Sequence, residues 1–263
     1  MNITAIIIAC NEAENIVAAI VSAQQICSEV IVVVDSKTSD NTAQLASGQG
    51  ARVVHQPYLG DGPQKAFAVP MAGSDWILAL DADERLEEDA VAAIEKLSLA
   101  EGDVDGYAFR RRNYVGDHWI QAAGFYPDRV VRLYHRQRAG YLPRKAHSRV
   151  EAKRVVELQC HLAHYTYRDY SHWIERINAL SSRDAWAMYE RGKGPSATAP
   201  LLHALTALLR KLIFKGGIFQ GMDGQTVALT TAFHAYMKYM KLNELHRKRD
   251  RDAAIVDSGE EGK

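Results

Sequence analysis

Four apolar runs rich in β-branched residues alternate with segments of helical period over the first 97 residues. The runs are ITAIIIA, EVIVVVD, ARVVHQ and DWILALD. Between and after them lie NEAENIVAAIVSAQQ, SDNTAQLAS, GPQKAFAVPMA and EEDAVAAIEKL. In the first of these, Ile16, Ala19, Ile20 and Ala23 share one helical face. Asn11 is expected as its cap, with Glu14 completing a capping box, and Ser39 or Asp40 is expected to cap the second. Strands joined by helices need a parallel sheet with right-handed crossovers. In such sheets ligands bind beyond the carboxyl ends of the strands. Asn11, Asp35 and Asp81 each fall just past a strand end, so one site is expected to draw on all three.

From Gly106 the pattern changes. GYAFRRRNYV, RVVRLYHR and RVVELQCHLAHYTY read as strands with aromatic and basic content, and a helix is expected over about 171–189. RGKGPSATAP has the composition of a hinge. Beyond it, Leu201, Leu202, Leu205, Leu208, Leu209, Leu212 and Ile213 form one helical stripe, and another helix is expected from Val227 to Leu242. The resulting division is a catalytic domain over 1–195, an amphipathic helical extension over 196–245 and a charged, disordered tail over 246–263.

Composition narrows the function classes. With 47% hydrophobic and 24% charged residues and a formal net charge of zero, the chain is globular and no global field selects nucleic acid. The scattered thiols Cys10, Cys27 and Cys160 show no metal spacing and suit a reducing compartment. No apolar run is long enough to span a bilayer, and no signal peptide is evident. A cytoplasmic protein is expected.

Asp81 and Asp83 sit one residue apart at the end of the fourth strand, where alternation points both to one side. Like charges held together repel, and a hard divalent cation relieves that repulsion. Shared with a diphosphate, Mg²⁺ or Mn²⁺ would neutralise a departing nucleoside diphosphate. For D-x-D alone, a solvated strand end followed by a helix start is the simpler reading. Three preceding βα units favour the metal.

The segments IIACNEAENI, VVVDSKTSDNT, GPQKAFA and WILALDADE, in this order and spacing, resemble family 2 glycosyltransferases of the GT-A fold. RRRNYVG, AGFYPDRVVRLYHR and HYTYRDY are similar to the bacterial lipopolysaccharide core β-1,4-glucosyltransferase subgroup. The resemblance covers about 3–242. It implies an α/β GT-A, Rossmann-like, mostly parallel sheet flanked by helices, with a C-terminal helical extension that associates with membrane. It implies a metal-dependent inverting transferase moving a hexose, glucose from UDP-glucose, to a heptose of the lipopolysaccharide inner core, at the cytoplasmic membrane's inner face. Asn11 and Glu12 would lie by the base and Asp35 by the uridine. Gln64 and Lys65 would wall the donor site, with Lys65 near phosphate. Asp81 would approach the ribose or metal, and Asp83 would bind the metal. The alternatives are transfer to a polyprenyl phosphate, or a non-catalytic, membrane-associated nucleotide-sugar-binding protein.

An inverting enzyme needs a base to take the acceptor hydroxyl's proton. Asp128, in FYPDRVVRL, is the first candidate, with a turn after Pro127 as the plain structural alternative. Relatives often carry His-Glu where this chain has His147-Ser148, so Asp128 or Glu151 is left to act. Arginine forks suit phosphate, and Arg110, Arg111, Arg112 and Arg132 are candidates for the diphosphate or an anionic acceptor. Strand alternation separates Arg111 from Arg110 and Arg112. The HxxH pair His161 and His164 falls on a strand, where that spacing separates faces, and His164 alone is a candidate third metal ligand. The leucine stripe, flanked by Arg210, Lys211 and Lys215 and extended by Phe214, Ile218 and Phe219, has the make-up of a helix at an anionic membrane surface. Packing against the catalytic domain or a second subunit is its other reading.

Overall fold

The computed structural model describes residues 2–99, 103–142 and 149–260, the side chains of 253–260 excepted. The chain forms two compact units, Met1–Trp119 with Pro127–Thr166, and Ile120–Tyr126 with Tyr167–Lys263. The expected boundary near 195 therefore lies inside the second unit.

The first unit holds strands β1 (Ile3–Ala9), β2 (Glu29–Asp35), β3 (Arg52–Gln56), β4 (Trp76–Asp81), β5 (Glu84–Leu86), β6 (Gly106–Val115), β7 (His118–Ile120), β8 (Asp128–His135), β9 (Gly140–Tyr141), β10 (Val150–Glu151) and β11 (Val155–Tyr167). Its helices are α1 (Ile16–Gln24), α2 (Thr42–Gly48), α3 (Asp61–Ala68) and α4 (Glu88–Glu95). The main sheet runs β3-β2-β1-β4-β8-β6-β11-β5, with β7 beside β6. Pairing is parallel from β3 to β4, as the βα alternation requires, and antiparallel between β4 and β8, β8 and β6, and β11 and β5. The α/β class with flanking helices is the one expected, and its sheet is mixed.

Period-two alternation explains why the central strands are apolar throughout. Ile3, Ala5 and Ile7 of β1 pack with Val30, Val32, Leu78 and Leu80 into a core that includes Ile16, Ala19, Ile20 and Ala23 of α1. Ile6 points the other way, into a second core with Ile31, Val33, Ile77, Ala79 and Ala68 of α3. Each isoleucine removed from water contributes roughly 1.5–3 kcal/mol. A sheet buried on both faces therefore has no polar positions to spare until its strands end.

One helix start differs from expectation, and one strand was not expected. Helix α1 begins at Ile16, without a side-chain cap. Asn11 instead has φ +55°, and its Oδ1 accepts from the Ser39 backbone N–H at 2.8 Å. A left-handed asparagine that stitches two loops together cannot also cap the helix. Strand β5, three residues long, is too short to leave a periodic signal.

The second unit is helical: α5 (Tyr170–Glu190), α6 (Ala199–Leu209), a π turn over Arg210–Phe214, a 3₁₀ turn over Gly217–Phe219, and α7 (Gly221–Glu260). Asp169 caps α5, accepting from the His172 N–H at 2.7 Å. Ala185 and Met188 of α5 pack with Tyr239 and Leu242 of α7. Lys241 Nζ donates to Asn178 O and Oδ1 and to the hydroxyls of Ser181 and Ser182. Helix α7 runs on past His246, the expected start of the tail, whose buried ring contacts Lys193 O through Nε2 at 2.8 Å. Among the described residues no helix is long and apolar enough to cross a membrane.

Candidate active site

Register gathers the strand ends. Ile8 of β1 lies opposite Asp81 of β4, and Ala9 lies opposite Val34 of β2. The carboxyl ends of β1, β2 and β4 thus fall side by side and bring up Asn11, Asp35 and Asp81. The antiparallel strands add the rest. Arg111 of β6 faces Asp128 of β8, and Glu84 of β5 faces His164 of β11.

These residues form one polar chain. Lys65 Nζ meets Asp81 Oδ1 at 2.6 Å, and Arg132 NH2 meets Asp81 Oδ2 at 2.7 Å and Glu84 Oε1 at 2.6 Å. Arg111 reaches Glu84 through NH1 at 3.0 Å and Asp128 Oδ2 through NH2 at 2.6 Å. Asn113 Nδ2 donates to Asp128 Oδ2 at 3.4 Å, and Asn113 Oδ1 accepts from His164 Nδ1 at 2.6 Å. Finally, His164 Nε2 lies 3.5 Å from Asp83 Oδ2.

The electrostatics follow from burial. Glu84 and Lys65 are almost wholly enclosed, and a buried charge survives only when paired. Burial pushes the Glu84 carboxyl up, but Arg132 and Arg111 outweigh it and hold the group down at about 2. Burial likewise opposes the Asp81 charge, and Lys65 and then Arg132 carry it far below the ordinary carboxylate range. Lys65 loses to burial and to Arg132, yet Asp81 raises it above its ordinary value. Carboxylates and cations here hold each other ionised.

The expected metal position can be tested on this geometry. An amide oxygen only accepts, and Asn113 is oriented by its donation to Asp128, so His164 Nδ1 carries the hydrogen. In the neutral ring Nε2 then presents a lone pair toward Asp83. The 3.5 Å gap exceeds an ordinary N–H···O hydrogen bond. Three cations (Lys65, Arg111, Arg132) face four carboxylates (Asp81, Asp83, Glu84, Asp128), with His164 beside them. An oxygen and an imidazole nitrogen facing each other, with the imidazole's other nitrogen fixed by an amide, fit a divalent ion. Asp81 differs from Asp83, because both of its oxygens already hold cationic side chains.

The other expected residues divide. Lys65 is buried against Asp81, which removes the reading of a solvated helix face. Gln64 spends its amide on the backbone of its own loop, donating to Gln56 O and accepting from Leu59 N. Asp35 Oδ1 accepts from Lys37 N at 3.0 Å, so it shapes its own turn at the strand end. Glu12 N donates to Thr42 Oγ1, and Glu12 Oε2 accepts from Asn15. Asp128 begins β8, where a turn was the alternative. Glu151, on β10, is exposed and pairs with Gly140 of β9, away from the cluster's ion pairs. His147 and Ser148 lie outside the described residues. Of the arginines, Arg110 pairs with Glu157 and Arg112 with Glu87, while Arg111 and Arg132 enter the cluster. His161 pairs with Asp89, so the two histidines of HxxH part company as strand spacing requires.

Sequence reasoning missed Glu84 and Asn113. Glu84 is an acid among several acids, and only its place on β5 buries it. For Arg132, already a candidate, a bulge hides which residues it meets. Tyr107 of β6 pairs with Leu133 but Ala108 pairs with Val131, so Arg132 is the extra residue on β8. Bulges re-aim side chains in this way beside functional sites.

A family model described as glycosyl transferase family 2 matches residues 4–159. An uncharacterised glycosyltransferase of Rickettsia bellii (strain RML369-C) is 30% identical over 256 residues, 92% of this chain and 86% of that protein. The lipopolysaccharide core biosynthesis glycosyltransferase LpsC of Rhizobium meliloti (strain 1021) is 28% identical over 234 residues, 86% of each. The crystal structure of residues 1–349 of S. aureus TarS aligns with 94% of this chain and 92% of its own, at 13% identity and a TM-score of 0.46.

Proposed function

Because the chain belongs to glycosyl transferase family 2, we propose that it is an inverting, metal-dependent hexosyltransferase that moves glucose from UDP-glucose to a heptose of the lipopolysaccharide inner core. The observation that carries the catalytic part is the facing pair of Asp83 and His164 at the end of β4, with the ring fixed by Asn113. The acceptor class rests on the printed name of the Rhizobium relative. Asn11, Glu12 and Asp35, at the ends of β1 and β2, would take the uridine.

Asp83 and His164 would hold Mn²⁺ or Mg²⁺, and their mixed oxygen and nitrogen donors favour Mn²⁺. The ion, when bound, supplies positive charge to the diphosphate. Asp81 serves the same end by keeping Lys65 and Arg132 charged and in place, aimed where the leaving group gains charge. Asp128 is the base. Arg111 and Asn113 hold its Oδ2, and Oδ1 takes the acceptor hydroxyl's proton. The acceptor oxygen bonds to the anomeric carbon from the face opposite the diphosphate, that carbon's bond to the phosphate oxygen breaks, and UDP departs with the electron pair. A lipid-linked acceptor puts the work at the inner face of the cytoplasmic membrane.

The test is a panel of UDP-sugars with Mn²⁺ or Mg²⁺, scored by binding and by transfer to truncated lipopolysaccharide. UDP-glucose is expected to transfer, and Asp83→Ala to abolish transfer. In Asn113→Ala the Mn²⁺ concentration for half-maximal donor binding is expected to rise about 10–100-fold, the usual cost of losing a ligand's orienting partner. If no UDP-sugar binds, the proposal is wrong.

A further inference from the structure

The turn between α6 and α7 has its polarity inside out. Phe214, Phe219 and Met222 are 82%, 89% and 82% exposed, and Leu201 and Leu202 on α6 are 69% and 60% exposed. Of the leucine stripe, Leu201, Leu202, Leu205, Leu209 and Ile213 face outward. Two polar side chains of the same turn reach back to Ala123. Lys211 Nζ donates to Ala123 O at 2.8 Å, and Gln220 Oε1 accepts from Ala123 N at 2.6 Å. Burial lowers the Lys211 ammonium below its ordinary value, and Arg210 and Lys215 lower it further. A turn meant for water would place these groups the other way round.

The turn is closely packed at its glycines. Gly217 and Gly224 meet backbone to backbone. A Cβ on Gly224 would lie 2.0 Å from Gly217 O, and one on Gly217 would lie 2.7 Å from Lys211 O. The flanking Gly216 and Gly221 take φ of +67° and +62°, the left-handed region that side chains disfavour. Charge then points to what covers the face. From Arg191 to Met222 the sequence has no aspartate or glutamate, and it has Arg191, Lys193, Arg210, Lys211 and Lys215. Arg210 and Lys215 are exposed beside the apolar residues.

We propose that this turn is a membrane-interface wedge. Phe214, Ile218, Phe219 and Met222 enter the acyl boundary of an anionic leaflet, and Arg210 and Lys215 meet its phosphates. A second copy fits the charge less well, because a two-fold contact presents the same patch to itself and would bring Arg210 and Lys215 of both copies together, with Asp223 the one acid adjoining the patch in sequence. The inference deepens the reading of a lipid-linked acceptor and rests on it for its purpose. Binding itself requires no sugar transfer.

The test is flotation of the full chain with phosphatidylcholine vesicles, with and without phosphatidylglycerol. The wild type binds the anionic vesicles, and binding weakens with salt. The double variant Phe214→Ser/Phe219→Ser loses at least about 10-fold in vesicle affinity, with circular dichroism and UDP binding unchanged. Arg210→Gln/Lys215→Gln removes the preference for anionic lipid. Equal binding by the serine variant, or none by the wild type, overturns the proposal. So does a dimer in sedimentation velocity that the serine variant dissolves, with vesicles still unbound. Failure of UDP binding in the wild type would defeat the functional reading and leave this one standing.

Discussion

The cluster around Glu84 and the turn between α6 and α7 break the same rule in opposite directions. In the first, ionised groups are buried; in the second, large apolar groups are exposed. The cluster meets most of its cost internally, since the Arg132 NH2 joins Glu84 to Asp81, while the Arg132 Nε is buried without a partner. The turn satisfies its polar atoms internally and leaves its apolar surface with none of that. Closure within the fold marks a built scaffold. Lack of closure marks a surface that needs an occupant.

The comparison breaks first at Arg132. Arg132→Met leaves Glu84 and Asp81 short of their main shared cation in a buried place. Removing one partner of a buried pair costs about 3–5 kcal/mol, expected as a thermal midpoint roughly 10 °C lower. Differential scanning calorimetry measures it, and a shift near zero would mean the cluster is not closed in solution.

A smaller effect comes from pH. The folded Glu84 carboxyl sits at about 2, below its ordinary value of 4.5. Its contribution is therefore complete above pH 4.5 and is lost as pH falls from there through about 2, where the unfolded chain binds the extra proton. Asp81, also depressed, adds in the same direction. Urea unfolding between pH 5 and 3 is expected to show falling stability, with a shallower slope in Glu84→Gln. An equal slope in that variant would assign the acid sensitivity to other carboxylates.

How far these features were legible in sequence follows the same division. β1, β2 and β4 could be read because a doubly buried strand leaves an unbroken apolar run, and their polar ends Asn11, Asp35 and Asp81 announced themselves. Arg111 was separable from Arg110 and Arg112 by alternation alone. Arg132 was read as a candidate for the diphosphate, but its burial between Glu84 and Asp81 was not readable, because it depends on a bulge set by pairing with β6. Nor was the burial of Glu84, which comes from a three-residue strand paired far along the chain with β11. The leucine stripe was visible, but helical period gives an apolar face without saying whether protein covers it.

The smallest predicted effects compare two substitutions within the turn. Lys211→Met removes the donor to the carbonyl of Ala123, a buried residue. One lost hydrogen bond of this kind costs about 1–2 kcal/mol, partly offset because the lysine no longer has to be charged in a site that disfavours it. Phe219→Ser removes a ring that touches little else in the chain, and its effect on stability is expected within about 0.5 kcal/mol of zero. Denaturant unfolding of the two variants side by side settles the order. Were Phe219→Ser the more costly, the ring would be packed within the protein, and the exposed face would need no partner at all.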